Sequence, residues 1–314
     1  MSAPTVLISM GDAGSVVISA KGVQKRYDGF TAVAGIDLTI YEGEIFGIVG
    51  PNGAGKTTLL KMLCGLISES EGAIKILGHD FAKNATLIKK NIGYLPEESL
   101  LYENMRVMDY LIFFSEIFGV TKDTAKNRIR EILSALDLPF HKKKIGDLSK
   151  GMKRKVAIAR SLINDPDILI YDEPTSGLDP MTSKYITDFV RELKSDGKTI
   201  IFSAHNLYQV ESICDRVLIM SSGKKIVNGK IDEIIREYGS VEYQIEFAID
   251  NFCDLRLEDV ESCNGNYLVR TSDINDLNRI TKQIIGCDGD IVEMRTCETS
   301  LEEIFLALVG RSVM

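Results

Sequence analysis

The sequence predicts an α/β fold built on a mainly parallel sheet with helices on its faces, followed by a small α+β domain. Three observations lead there. The runs "EIFGIVG" (44–50), "DILIYDE" (167–173) and "KTIIFSA" (198–204) are short and almost wholly apolar, as strands buried on both faces are. Helical spacing separates them, as in "TTLLKMLCGLI" (57–67), where Leu59, Leu63, Leu66 and Ile67 share a face. After about residue 240 the style changes to short strands ("YQIEFAI", "YLVRT", "DIVEMRT") and two amphipathic helices ("DINDLNRITKQIIG", "SLEEIFLALVG").

Taken in chain order, residues 1–18 are weakly patterned and read as an extension. Residues 19–239 carry the alternating strands and helices and read as one α/β domain. Its last piece, "RVLIMSSGKKIVNG" (216–229), reads as a hairpin with Ser-Gly at the turn. Residues 240–314 read as the accessory α+β domain. A length of 314 residues fits more than one domain. No internal repeat or low-complexity segment stands out.

The composition is that of a globular chain, with 45% hydrophobic and 26% charged residues. No apolar run approaches the ~18 residues of a membrane span. The first twenty residues lack a basic start and an apolar centre, which predicts no secretory signal. The formal charge of −8 argues against general nucleic-acid binding. The six cysteines (Cys64, Cys214, Cys253, Cys263, Cys287, Cys297) form no Cys-x-x-Cys pair and are expected to be reduced thiols.

The chemistry begins at Gly50-Pro51-Asn52-Gly53-Ala54-Gly55-Lys56-Thr57-Thr58, which fits G-x-x-x-x-G-K-[ST] between an expected strand and an expected helix. Glycines leave backbone N–H groups free to converge, and the helix N-terminus behind them attracts an anion. Lys56 offers a point charge to β- and γ-phosphates, and Thr57 a hydroxyl to Mg²⁺. Chance would give this pattern in roughly one such chain in a hundred. The strand "ILIYDE" delivers Asp172 and Glu173 to its carboxyl end, where open α/β sheets hold ligands. Asp172 is placed to hold Mg²⁺ through water, and Glu173 to polarise an attacking water as a general base. Read alone, two carboxylates at a strand end are merely exposed; beside a phosphate loop they acquire a role. In "LSKGMKRKVAIARSLI" (148–163), Ser149 is a good N-cap for a helix whose Met152, Val156, Ala159 and Ile163 share a face. The basic residues Lys150, Lys153, Arg154 and Lys155 read as a solvated face.

Together the glycine loop, "LSKGM", "ILIYDE", "SGLD" and a later histidine resemble, in order and rough spacing, the ATP-binding cassette ATPases, over about residues 19 to 232. The resemblance implies a P-loop NTPase cassette: a RecA-like core, an antiparallel β portion and a helical subdomain at about 98–163. It implies ATP and Mg²⁺ as cofactors. It implies that Tyr27 stacks on adenine. Ser149 and Gly151 match the signature residues that touch the γ-phosphate of a second cassette in a head-to-tail dimer, while Lys150 and Met152 depart from the usual Leu-Ser-Gly-Gly-Gln. Asp179 matches the loop crossing between the two sites, and His205 the histidine that contacts the γ-phosphate. Glu97 stands where the family usually has glutamine beside the metal; its carboxylate still offers oxygen but adds negative charge. His79 and His141 match nothing.

"VMDYLIFFSEIFGV" is too short and too charged for a membrane helix and reads as part of a subdomain that docks a partner. Glu97, "LYENM" and "SLEEIFLALVG" resemble cassette subunits of exporters whose membrane permease is a separate chain. That implies a protein on the cytoplasmic face of the cell membrane, partnered by a permease and a second cassette. The rivals are weaker. DNA-repair cassettes carry long insertions between the motifs, and translation-factor cassettes come as two in one chain. A non-catalytic cassette would have lost Glu173 or His205. An importer cassette differs mainly in its partner.

Overall fold

A computed structural model describes residues 14–139, 142–249, 257, 260–263 and 265–313. It divides into two compact units, Met1–Gly229 and Lys230–Met314. The cleavage falls about ten residues before the boundary expected from composition, because the helix Ile231–Tyr238 packs with the second unit.

In the first unit, β1 (Val16–Tyr27) and β2 (Phe30–Tyr41) form an antiparallel pair. β1 starts inside the stretch expected to be an extension. Val17 and Ile18 are buried in it. The apolar strand β3 (Ile45–Val49), every residue buried, runs into the helix α1 (Lys56–Leu63). α1 is shorter than the apolar spacing suggests. It ends at a turn through Cys64 and Gly65, and Leu66 is exposed rather than on the helix's inner face. β4 (Glu71–Ile76) and the short β5 (His79–Asp80) complete a four-stranded antiparallel sheet in the order β2-β1-β4-β5.

Helix α2 (Phe81–Lys90) leads to β6 (Ile92–Leu95). Three helices follow: α3 (Val107–Ile117), α4 (Lys122–Ala135) and α5 (Lys150–Leu162). α3 and α4 pack on each other and on α5. The remaining elements are β7 (Ile168–Asp172), α6 (Pro180–Ser195), β8 (Thr199–Ala204), α7 (Leu207–Ile213), β9 (Arg216–Ser221) and β10 (Lys224–Lys230). Ser222 and Gly223, both with positive φ (49° and 76°), make the two-residue turn of the β9–β10 hairpin.

The main sheet runs β10-β9-β3-β8-β7-β6. The pairs β3–β8, β3–β9, β7–β8 and β6–β7 are parallel. β3, β7 and β8 are buried at every residue, which is why they read as unbroken apolar runs. One hydrophobic cluster joins the sheets: Ile18, Val33 and Ile36 of the antiparallel sheet, Ile48, Ile170 and Leu218 of the parallel one, and Leu59 and Leu63 of α1. The carboxyl ends of β3, β7 and β8 thereby open on one edge of this core.

The second unit holds α8 (Ile231–Tyr238), β11 (Val241–Ala248), β12 (Glu261–Cys263), β13 (Asn266–Thr271), α9 (Ile274–Gly286), β14 (Asp290–Glu298) and α10 (Leu301–Val313). Its antiparallel sheet is ordered β12-β13-β11-β14. Ile280 and Ile284 of α9 cover Ile245, Phe247 and Val269 to make a separate small core. Among the described residues no helix is long and apolar enough to cross a membrane. Cys64 and Cys214 are buried thiols, Cys297 is a half-buried thiol, and the side chains of Cys253 and Cys263 lie outside the described residues.

Candidate functional site

The glycine loop leaves the sheet at the end of β3 under tight constraint. A Cβ on Gly50 would sit 2.4 Å from the carbonyl oxygen of Met220, closer than any side chain tolerates. Gly55 caps α1 with φ of 99°, and a Cβ there would lie 2.3 Å from the carbonyl oxygen of Ala32. Both positions therefore require glycine. Between them the loop wraps a cavity of about 570 Å³. Asn52, Gly53, Ala54, Gly55, Lys56, Thr57 and Thr58 line it. Gly50 and Pro51 stay behind, and the buried Lys56 ammonium donates to their carbonyl oxygens at 2.8 and 3.4 Å.

Across the cavity stand the carboxylates. β7 ends in Asp172, which is 1% exposed. Ser203 on the adjacent β8 donates to Asp172 Oδ1 at 2.6 Å and accepts from the Glu173 N–H at 2.9 Å. One serine thus sets the orientation of both acidic residues. Asp172 Oδ2 is buried and has no hydrogen-bond partner among the described residues. Burial pushes the pKa of the Tyr94 phenol and the Cys64 thiol upward, and the Asp172 charge adds to both.

Glu173 leaves the strand with φ of 44°, in the left-handed region that costs a non-glycine residue about 1–2 kcal/mol. The twist turns its carboxylate into the cavity. There Oε2 lies 2.8 Å from His205 Nδ1 and Oε1 3.8 Å from the Lys56 ammonium. Glu97, from the loop after β6, lines the same cavity. The glycine loop therefore shares its cavity with a cation (Lys56), two carboxylates (Glu97 and Glu173) and an imidazole (His205), while the Asp172 carboxylate is buried beside Glu173 at the end of β7. The chemistry of such an arrangement suits a phosphate chain, which helix N-termini and converging N–H groups attract.

Known proteins carry the same pattern. Residues 33–176 match the family model described as ABC transporter. An ABC transporter ATP-binding protein of Methanocaldococcus jannaschii, named as uncharacterized, is 42% identical over 72% of this chain and 82% of its own. The Nod factor export ATP-binding protein I of a Rhizobium species is 33% identical over 95% of this chain and 98% of its own. The chain is an ATP-binding subunit of the ABC transporter family. A solved dimeric ATP-binding cassette in a post-hydrolysis state, bound to ADP and Pi, superposes with a TM-score of 0.62 at 26% identity, over 68% of this chain and 98% of its own. The fold is the P-loop NTPase cassette of that family, and the chain is an ATPase.

For this ABC subunit the remaining motif residues fall away from the cavity. Ser149 caps α5, accepting from the Met152 N–H at 3.3 Å. Gly151 faces α6, where a Cβ would meet the Thr182 methyl at 2.9 Å. Asp179 caps α6, accepting from the Thr182 N–H at 2.9 Å and the Thr182 hydroxyl at 2.7 Å. Those bonds hold its carboxyl below the usual aspartate range. None of the three lines the phosphate cavity of its own chain. Tyr27 ends β1, exposed, with the Lys25 ammonium 5.3 Å from its ring centre, and the cavity wall is made instead by Phe30, its cross-strand partner. Phe30 escaped the sequence reading; its alternation opposite Tyr27 across the two-residue turn was the available signal. His79 is exposed in β5, and His141 lies outside the described residues.

Arg154 corrects the expected solvated face of α5. It is buried, at 7% exposure. Its Nε donates to the Pro174 carbonyl at 2.8 Å. One terminal nitrogen donates to the carbonyls of Pro96 (2.6 Å) and Glu97 (2.9 Å) and to the Ser99 hydroxyl (3.2 Å). The other donates to the carbonyls of Asp172 (3.0 Å) and Glu173 (2.9 Å). Burial pulls its pKa down to about 10, with the Asp172 charge opposing. Its helical neighbours Ala157, Ile158 and Ser161 are all buried, and that spacing marked the inward face. Lys153 instead pairs with Glu103 at 2.7 Å, and the Lys155 ammonium sits 3.8 Å from the Tyr185 ring centre.

Proposed function

We propose that this ATPase drives outward transport through a separate membrane permease, working as a pair of cassettes that close head-to-tail around two Mg·ATP on the cytoplasmic face of the membrane. The observation that carries the reading is the cluster of Lys56, Glu173 and His205 at one phosphate cavity, with Ser149 and Gly151 off that cavity and available to another chain's nucleotide. A ligand contacted by both halves favours the closed state by its differential affinity, and that difference is what moves the equilibrium. Export is supported by the likeness, along nearly the whole chain, to a protein named for Nod factor export.

In this reading Glu173 holds the attacking water and takes its proton, oriented by the Ser203 bond to its N–H. His205 steadies the Glu173 carboxylate and contacts the γ-phosphate. Lys56 exchanges its loop carbonyls for phosphate oxygens, and Tyr27, beside the Phe30 wall, stacks on the adenine. Asp179 reaches the companion site while capping α6. The donor set suits Mg²⁺: a hydroxyl, a buried unpartnered carboxylate oxygen and an added carboxylate are hard oxygen ligands. Thr57, Asp172 (through water) and Glu97 would hold it, and it would neutralise charge developing on the phosphates. The net charge of −8 supports a chain that needs no nucleic acid.

Two experiments test the reading. The Glu173→Gln chain is expected to bind ATP and elute as a dimer while releasing little phosphate; phosphate release at the wild-type rate removes Glu173 from its assigned role. Tagged protein recovered from gently solubilised membranes is expected to bring a polytopic membrane protein that has no cassette of its own. Recovery only in the soluble fraction with nucleic acid or ribosomal proteins refutes transport.

A further inference from the structure

We propose that Arg154 is a positioning residue that couples the N-terminus of α5 to both carboxylate-bearing segments of the phosphate cavity. The inference deepens the two-cassette reading and rests on it. The guanidinium is held by six oxygens: five backbone carbonyls and one hydroxyl. They come from two stretches far apart in sequence, Pro96–Ser99 with Glu97 and Asp172–Pro174 with Glu173. The side chain that joins them belongs to a third element, α5. Five donors in one rigid plane can serve both stretches at once; an ammonium concentrates its donors at a point and cannot span them.

α5 is a lever suited to this. Ser149 and Gly151 lie at its exposed end, and Arg154 follows Ser149 by roughly 7.5 Å of helix rise. From Val156 to Leu162 the helix is buried almost throughout, so it moves as a body. A phosphate taken by the Ser149 end displaces Arg154 with the helix. The carbonyls of Glu97 and Glu173 follow, and their carboxylates move together toward the chain's own nucleotide. Binding at one site is thereby felt at the other. Burial makes the link firm: the bonds to the Pro174 and Asp172 carbonyls are buried, and breaking them leaves a carbonyl or a guanidinium proton in a dry interior.

The test uses the full chain with Arg154→Lys and Arg154→Gln, and Lys153→Ala as the neighbouring control. A fluorescent ATP analogue should bind both Arg154 variants within about threefold of wild type, because the loop contacts are untouched. Turnover should fall by about tenfold or more, a transition-state rather than a binding loss. The Hill coefficient for ATP, which can approach the number of coupled sites, should drop to near one. Lys153→Ala should change neither. Wild-type turnover and cooperativity in Arg154→Lys overturn the proposal. So does reduced turnover with undiminished cooperativity, the mark of a purely structural arginine. A wild-type chain that is itself non-cooperative, with Glu173→Gln monomeric in ATP, instead defeats the two-cassette reading and takes this one with it. Should the arginine variants not fold, hydrogen exchange in Glu173→Gln decides. ATP should slow exchange at 97–99 and 175–176, and adding Ser149→Glu should abolish that slowing at both stretches with nucleotide still bound. Slowing that survives Ser149→Glu overturns the coupling.

Discussion

His205 Nδ1 lies 2.8 Å from Glu173 Oε2, joining the first residue after β8 to the first residue after β7. The contact exists because two adjacent parallel strands end at the same level, with Asp172 opposite Ser203 in register. Glu173 is mostly enclosed and His205 is largely exposed, at 11% and 59% side-chain exposure. The imidazole therefore acts as the solvent-side lid on an otherwise protected carboxylate.

Replacing His205 with alanine leaves that carboxylate free to rotate and, in the proposed reading, removes a γ-phosphate contact. ATP affinity should change little, since the loop N–H groups and Lys56 remain. Turnover should fall by about 10²-fold, the lower range for a group that assists proton transfer. Steady-state phosphate release checks it, and wild-type turnover in His205→Ala rules out a part for the histidine in hydrolysis.

Gly53 and Gly55 distinguish strain from collision. Both have positive φ, 78° and 99°. A Cβ on Gly53 meets nothing within 4 Å, whereas one on Gly55 strikes the Ala32 carbonyl. Gly53→Ala should cost about 1–2 kcal/mol, the left-handed penalty alone. Gly55→Ala must displace β2 or the loop as well, and should destabilise by about 3 kcal/mol or more and abolish nucleotide binding. Urea unfolding and equilibrium nucleotide titration of the two variants give the comparison; equal losses contradict the geometry.

Much of the site was legible because its residues announce a backbone need. Gly50 and Gly55 stand where no Cβ fits, Ser149 and Asp179 stand at helix starts, and the strands β3, β7 and β8 are apolar on both faces. What escaped notice was set by distant parts of the chain. Arg154 is charged, so it was assigned to water, yet its donors are used up by carbonyls from residues 96–97 and 172–174 that nothing local reveals. Leu66 and Ile67 keep the helical spacing of α1 although the helix stops at Leu63, because spacing does not register a turn at Gly65. Phe30 is exposed on a hairpin and becomes a wall only when the glycine loop arrives beneath it.

Asp165 gives a pH test. Lys198 (2.9 Å) and then Arg128 (3.2 Å) hold its carboxyl below the usual aspartate range, opposed by partial burial. A depressed pKa means the ionised form stabilises the fold. That contribution is complete above the unfolded value near 3.9 and is lost as pH falls through the lower folded value. With the carboxylate 58% exposed, solvent screening keeps it below about 1 kcal/mol. Asp165→Asn keeps the left-handed backbone that asparagine tolerates. Its stability should trail wild type by a constant small margin from about pH 7 to 5, closing below about pH 4. A margin that persists in acid would trace the effect to packing instead.

Phe247 tests whether the two units unfold separately. It is fully buried in the small C-terminal core, 5.6 Å from the Tyr267 ring centre, and shares no cluster with the residues beneath the phosphate loop. Phe247→Ala should cost about 3–5 kcal/mol. A unit of this size has only about 4–13 kcal/mol in total, so the substitution removes a large share of it. The expected result is two transitions in urea, followed by far-ultraviolet circular dichroism because the chain has no tryptophan. The earlier transition should leave nucleotide binding intact, and proteolysis there should yield a fragment ending soon after Gly229. Loss of binding and of all secondary structure in one step would mean that the small core stabilises the ATPase unit as well as itself.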